Sequence, residues 1–292
     1  MRGVIEHNRK PSDLEERISL HYSRIASWLS SRSWYQDPNV ESAVRSLIVG
    51  RPKRVLELCC GTGLLLQELS AAYPGTEFVG SDISPKMVEL ARKRLRAARN
   101  VVIFQQDWIN ELTSEWNAEF DVIIVKNALH LLDNLPERLA ALRRVSQEWT
   151  NLIVIETISP SSETNNVIKR LFQCLDRTRI KQNLFTERTL TAALRAGGWH
   201  MAQNSPDYLR QHIDTEDWIR QRSSDPEAAE KARTLLTGIA DFQVRDKLDF
   251  DTPPGMFPTR MLRLQYVARH IYVPSRHRDD SQSEGAVQLQ LT

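Results

Sequence analysis

The sequence predicts an α/β protein built on a doubly wound, mostly parallel sheet. Between residues 54 and 156, five short, nearly continuous apolar runs alternate with segments of helical periodicity. This pattern is typical of parallel strands that helices cover on both faces. A small-residue turn with Gly61 and Gly63 joins the first run to the first helix, where glycine allows a tight backbone turn. Ser84, directly before a proline, marks the start of another helix.

The strands are predicted at the apolar runs, and the helices fill the segments between them. The first five strand predictions are Arg54–Leu58, Glu77–Ser81, Val101–Phe104, Asp121–Val125 and Asn151–Glu156. The helices predicted between these strands are Leu64–Ala72, Pro85–Ala97, Trp108–Leu112 and Leu135–Glu148. The later predictions are helices Asn165–Asp176 and Glu187–Ala196, strands Trp199–Ser205 and Arg260–Val273, and two polar helices introduced by Asp214 and Asp225. The prediction is therefore a seven-stranded sheet.

Helices outside the sheet pattern suggest a lid and a cap. Ser12 and Glu15 have the spacing of a capping box, so a helix is predicted from there to about Leu29, with a second over Asn39–Val49. The predicted organisation is a helical lid over 1–50, a domain over 51–273 with cap helices within about 160–185 and 214–256, and a disordered tail over 274–292.

Composition narrows the class of function. The 292 residues include 39 basic and 37 acidic side chains, a formal net charge of +2, which gives no strong attraction to nucleic acid or to an anionic membrane. No apolar stretch approaches the length of about 18 residues that a membrane span needs. Three cysteines, an odd number without zinc-ligand spacing, favour a reducing cytoplasm and predict no metal site.

Acidic residues follow three strands around the glycine turn. Glu57 ends the first strand, Asp82 the second, and Asp107 follows the third. Leu66 stands where a dinucleotide fingerprint has its third glycine, and Glu57 would repel a pyrophosphate. The three acids instead suit an ammonium group, a ribose and an adenine, which together describe S-adenosylmethionine. Taken singly, the same acids are equally consistent with a strand end, a helix cap and a loop residue.

Four motifs in sequence order carry a family resemblance. ELCCGTG fits the pattern acid-x-Gly-x-Gly-x-Gly with Cys59 at the first glycine, and GSDISPKMVELARKRL, QQDW and FDVIIVKNALHLL fit the segments that follow it. The run from Val55 to about Thr157 thus resembles the class I S-adenosylmethionine-dependent methyltransferases. A late FTERTLTAALRAGGW segment is most similar to ubiquinone/menaquinone-type and natural-product enzymes. The resemblance implies a Rossmann-like sheet with helical cap insertions.

The same resemblance implies which residues bind S-adenosylmethionine. The expected cofactor-binding residues are Glu57, Gly61 and Gly63 at the methionine part, Asp82 at the ribose, Met87 near the adenosine, Asp107 and Trp108 at the adenine, and in addition Ile83. Asn127, just after the fourth strand, is predicted to form the pocket floor near the reacting methyl group.

An oxygen or carbon acceptor needs a base to remove its proton. His130, after the fourth strand, is the first candidate, because ligands collect beyond the carboxyl ends of parallel strands. Tyr22 and His21 are second choices if the N-terminal helix closes over the site. The alternatives are a histidine packed under the cap and a tyrosine in the core.

The acceptor is predicted to be a small, largely apolar molecule. Apolar residues at helical spacing in the two cap regions would enclose its pocket, with packing between the helices as the alternative. Methylation at oxygen, carbon or nitrogen is expected, within secondary metabolism. Two other functions stay open: an NAD(P)-dependent oxidoreductase, and a non-catalytic methyltransferase-like binding or regulatory protein. A homodimer is considered as the oligomeric state.

Overall fold

A computed structural model of the protein describes residues 12–32, 35, 37–106, 119–175, 184–202, 206–223 and 225–273. These residues form strands β1 Arg54–Leu58, β2 Glu77–Asp82, β3 Val101–Gln105, β4 Phe120–Lys126, β5 Ser146–Ile158, β6 Trp199–Met201, β7 Asp207–Asp214 and β8 Arg260–Tyr272. They also form helices α1 Asp13–Ser30, α2 Pro38–Leu47, α3 Leu64–Ala72, α4 Pro85–Arg94, α5 Leu135–Ala141, α6 Ser162–Leu175, α7 Glu187–Ala196, α8 Thr215–Arg222, α9 Pro226–Thr237 and α10 Phe242–Leu248.

All eight strands belong to one mixed sheet, so the predicted α/β class is confirmed. The strand order is β3-β2-β1-β4-β5-β8-β6, and the first five strands of that path run parallel. β8 is antiparallel to β5 and pairs on its other edge with both β6 and β7. The order reverses between β1 and β4, and ligands of open α/β sheets bind at such a reversal.

Helices cover both faces of the sheet because the strand residues alternate between two cores. Leu56 and Leu58 of β1 pack in one cluster with residues of α5 and α7, whereas Val55 packs in another with residues of α2, α3 and α4. A third cluster holds the helices after β5 together, with Leu171, Trp218, Leu236 and Leu248 at its centre. Each buried side chain of this size stabilises the fold by about 1.5–3 kcal/mol relative to exposure.

Several predicted boundaries differ from the structure. The helix predicted over Leu135–Glu148 ends at Ala141, a short 3₁₀ turn follows over Leu142–Val145, and β5 already begins at Ser146, which pairs with Phe120 of β4. The strand β7 and the helix α10 were not predicted. The predicted helix over 108–112, the tail over 274–292 and residues 1–11 lie outside the described residues. Among the helices that are described, none has the length and apolarity of a membrane span.

Gly80 of β2 offers a direct test of how tightly the layers pack. A Cβ atom there would lie 2.6 Å from Leu66 Cδ1 and 2.7 Å from Ile103 Cδ1. We expect Gly80→Ala to lower the free energy of unfolding by about 1–3 kcal/mol because it overpacks this core. Gly75→Ala is the matched control, since nothing lies within 4 Å of its Cβ position. If both variants unfold at the same urea concentration, the tight packing of Gly80 against Leu66 and Ile103 is contradicted.

Candidate active site

A cavity of about 210 Å³ opens at the carboxyl ends of the central strands. Parallel strands end on one edge of the sheet, so their terminal side chains meet there. Glu57 of β1, Asp82 of β2, Lys126 of β4 and Glu156 of β5 all line this cavity. The remaining walls come from α1, from the helices after β5 and from the start of β8.

Glu57 and Lys126 place an acidic and a basic group at one end of the cavity. Glu57 is 2% exposed, and its Oε2 has no hydrogen-bond partner. Burial raises the pKa of Glu57 to about 8, although the charge of Lys126 opposes this shift. Lys126 Nζ donates to the carbonyl of Tyr35 at 3.3 Å and lies 4.8 Å from the centre of its ring. An orphaned carboxylate oxygen and an ammonium group match the two charges of an amino acid.

Asp82 stabilises the glycine turn and faces the same cavity. Its Oδ2 accepts from Gly61 N and its Oδ1 from Ser84 N, both at 2.9 Å. Burial raises the pKa of Asp82 to about 6, and these two hydrogen bonds oppose that shift. Each carboxylate oxygen has a further lone pair, so Asp82 can accept from a ligand as well. Ile83 and Met87, which follow it, also line the cavity.

The turn itself needs backbone conformations that favour glycine. Gly61 and Gly63 have φ values of 55° and 72°. A Cβ atom on Gly61 would collide with the hydroxyl of Tyr35, so glycine allows the turn and this hydroxyl to approach closely. Cys59, at the position of the motif's first glycine, has a φ of 54°. Its backbone is therefore held in the left-handed region, which costs a non-glycine residue about 1–2 kcal/mol.

His130 forms a pair with a carboxylate that the sequence did not indicate. His130 Nδ1 lies 3.0 Å from Oε1 of Glu156, whose side chain is fully buried. Glu156 also accepts from the backbone N–H of Leu129 at 3.0 Å and from its neighbour Thr157 at 2.8 Å. With the Nδ1 proton donated to Glu156, Nε2 of His130 is the basic nitrogen. A histidine oriented in this way by a carboxylate can accept a proton from a ligand.

Tyr22 and Asn127 lie in the same cavity as His130. Burial raises the pKa of Tyr22 to about 12, so its hydroxyl is protonated at neutral pH. Asn127 Oδ1 accepts from the hydroxyl of Thr157 at 3.2 Å. Of the sequence-predicted site residues, those brought together around the cavity are His21, Tyr22, Glu57, Gly61, Asp82, Ile83, Met87, Asn127 and His130. Gly63 caps α3 behind the turn, and Asp107 and Trp108 lie outside the described residues.

The cavity-lining residues that sequence reasoning missed include Tyr35, Lys126, Glu156, Arg222, Lys247 and Arg263. Lys126 ends β4, and Glu156 lies two residues before the end of β5. This position near the carboxyl end of a central strand was their only signal. Within the part of the chain that the structure describes, no three histidine, cysteine, aspartate or glutamate side chains form a metal-binding group.

Similarity to known proteins agrees with this geometry. A methyltransferase-domain profile matches residues 56–148. The demethylmenaquinone methyltransferase of Thermus thermophilus is 30% identical over 161 residues, which are 55% of this chain and 70% of that enzyme. The corresponding enzyme of Deinococcus radiodurans is 28% identical over 150 residues, 51% of this chain and 60% of that enzyme.

Solved structures also share the fold of this chain. The crystal structure of the YcgJ protein from Bacillus subtilis superposes with a TM-score of 0.69 at 16% identity, covering 82% of this chain and 99% of that one. At 16% identity, this similarity shows a shared fold and does not by itself indicate a shared function. The family profile, the aligned Thermus enzyme and the acidic strand ends around a glycine turn lead to one conclusion. The chain belongs to the class I S-adenosylmethionine-dependent methyltransferases.

Proposed function

We propose that the protein methylates a small, largely apolar molecule with S-adenosylmethionine as donor, and that His130 removes the acceptor's proton. The observation that carries the proposal is the pair of His130 and Glu156, 3.0 Å apart, in the cavity that also contains Glu57 and Asp82. A donor site and a proton acceptor thus share one space, as transfer to oxygen or carbon requires.

The residues at the donor end fit S-adenosylmethionine. Glu57, with its unpartnered Oε2, would bind the donor's ammonium group, and Lys126 its carboxylate. Asp82 would accept from the ribose hydroxyls, and Met87 would pack against the adenosine. When bound, S-adenosylmethionine supplies a methyl group on a sulfonium, which is already activated for transfer. The chain therefore has to orient the acceptor, exclude water and remove one proton.

His130 and Tyr22 would act on the acceptor. Glu156 holds His130 through Nδ1 and stabilises the imidazolium that forms when Nε2 takes the proton. Tyr22, protonated at neutral pH, would donate a hydrogen bond to the acceptor rather than serve as the base. The walls above them are apolar, which supports an apolar acceptor; they are formed by Ile168, Phe172, Leu184, Ile213, Trp218, Leu248 and Met261.

The proposal also covers the cellular compartment of the protein and the type of metabolism in which it acts. None of the three cysteines forms a disulfide bond, which fits a reducing compartment, and we place the protein in the cytoplasm. An apolar pocket beneath a helical cap suits the varied acceptors of secondary metabolism.

Donor binding should release a proton near neutral pH. The pKa of Glu57 is raised to about 8, so at pH 7 its carboxyl group is mostly protonated, and the donor's ammonium group favours the ionised form. Affinity for S-adenosylmethionine is expected to rise with pH up to about 8 and then to level off. Calorimetry in buffers of different ionisation enthalpy measures the released proton. In Glu57→Gln this release should disappear; an equal release in the variant would assign the proton to another group.

Turnover tests the proposed function directly. The protein is incubated with methyl-labelled S-adenosylmethionine and a panel of phenols, β-dicarbonyl compounds and aromatic amines. We expect label in at least one acceptor together with an equal amount of S-adenosylhomocysteine. Donor binding without S-adenosylhomocysteine formation across the panel would instead indicate a binding or regulatory protein. Reduction of NAD(P) by a panel member, without methyl transfer, would indicate an oxidoreductase.

A further inference from the structure

Charge divides the cavity into two ends. Glu57 and Asp82 lie at the ends of β1 and β2, whereas Arg222, Arg263 and Lys247 line the cavity from α8, β8 and α10. The first end also contains Lys126 and so combines acidic and basic groups, whereas a molecule at the second end meets a positive potential. The second end is also the apolar end, next to the side chains of the helices that follow β5.

Arg263 is fixed close to the proposed base. Its Nε donates to the hydroxyl of Thr157 at 2.7 Å, and that hydroxyl lies 3.2 Å from Asn127 Oδ1. Thr157 directly follows Glu156, whose carboxylate holds His130. Burial lowers the pKa of Arg263 to about 10, and the charge of Glu156 opposes this shift. The guanidinium group is therefore positively charged at neutral pH.

Arg222 presents a second guanidinium group to the same space. It stacks over the rings of Phe172 at 4.6 Å and Trp218 at 4.7 Å, contacts that fix its orientation. Its charge acts on both Arg263 and Tyr22. Two cations that face one apolar cavity repel each other, and an anion bound between them offsets this repulsion.

Glu156 is the nearby carboxylate whose charge acts most strongly on Arg263, but its oxygens are already engaged. They accept from the backbone N–H groups of Leu129 and Thr157 and interact with His130. Glu156 is thus committed to orienting the histidine.

We propose that the methyl acceptor carries an oxyanion, as a carboxylate, enolate or phenolate, separate from the group that His130 deprotonates, and that Arg222 and Arg263 bind it. The planar guanidinium groups suit such oxygens, because they donate parallel hydrogen bonds to them. The inference rests on the proposed function in one respect: the bound anion is taken to be the molecule that is methylated. Anion binding itself is measured without turnover.

The test compares charged and neutral probes of the same shape. Wild-type protein saturated with S-adenosylhomocysteine is titrated calorimetrically with naphthoate and naphthamide, and with a cyclic β-diketone enolate and its enol methyl ether. At least one anion should bind about tenfold or more tightly than its neutral partner, and the pair that shows the preference distinguishes carboxylate from enolate. Equal affinities within both pairs would overturn the proposal, and this comparison needs no variant to fold.

Single substitutions then show which side chains cause the preference for the anionic probe. Arg222→Gln and Arg263→Gln should each reduce the preference for the anion about tenfold or more while affinity for S-adenosylmethionine changes little. Arg220→Gln is the matched control, because Arg220 lies on the same helix, α8, and its side chain is 66% exposed. Preserved preference in both folded variants would overturn the assignment. If anions bind as expected but no acceptor is methylated, the proposed function fails and the anion site stands.

Discussion

Replacing His130 with alanine is expected to lower kcat by about 10²–10⁴-fold, the usual contribution of a positioned general base. His130 lies 3.0 Å from the buried carboxylate of Glu156, which holds the ring in one tautomer and orientation. Alanine removes the nitrogen that accepts the proton but leaves the donor end intact. The dissociation constant for S-adenosylmethionine should therefore stay within about twofold of the wild-type value. Steady-state turnover and calorimetry measure the two quantities.

Two controls separate a base from a packing residue. His200→Ala makes the same change at an exposed position in β6 and should leave kcat unchanged. Millimolar imidazole should restore part of the activity of His130→Ala, because it can occupy the space that the side chain leaves and accept the proton. A rate for His130→Ala equal to wild type would exclude the base, and a lowered rate without rescue would favour a purely structural role.

Replacing Asp82 with alanine is expected to weaken S-adenosylmethionine binding by about 100-fold or more. The change removes a carboxylate that would accept from two ribose hydroxyls, and each charge-assisted hydrogen bond contributes about 1.5–3 kcal/mol. It also removes the acceptor of the Gly61 and Ser84 N–H groups, so the turn loses support. Asp82→Asn, which keeps the shape and one acceptor oxygen, should lose about tenfold.

The control for Asp82 is Asp207→Ala, an exposed aspartate at the start of β7. Its affinity for S-adenosylmethionine should match that of wild type. Thermal melts of all three variants show whether each one is folded under the conditions of the titration. Wild-type affinity in folded Asp82→Ala would show that the donor does not contact this carboxylate.

The parts of the fold that sequence predicted are those specified by local patterns. β1 and α3 have the predicted bounds, since a short apolar run, a glycine turn and an apolar helix follow each other without ambiguity. The strand β7 was missed because its residues, DYLRQHID, are mostly polar, and it is stabilised by pairing with β8. Gln147 and Glu148, which favour helix, were assigned to one. They lie in an irregular stretch of β5 between Ser146 and Asn151, which pair with Phe120 and Val122 of β4.

Site residues could be predicted from the sequence where one motif contains both the residue and the turn or helix start that positions it. Glu57 and Asp82 could be identified because a turn and a helix start follow them directly. Glu156 could not, because its importance depends on His130, which lies 26 positions earlier in the chain and is brought close by the pairing of β4 with β5. Lys126 meets Glu57 only through the pairing of β1 with β4. Arg222 and Arg263 reach the cavity from α8 and β8, whose packing no local pattern specifies.

The central claim is that the acidic strand ends and the glycine turn bind S-adenosylmethionine. Calorimetric titration of the wild-type protein with S-adenosylmethionine at neutral pH tests it most directly. We predict saturation at one molecule per chain with a dissociation constant in the micromolar range. A titration without a binding signal at two temperatures, on protein whose circular dichroism shows it to be folded, would contradict the claim.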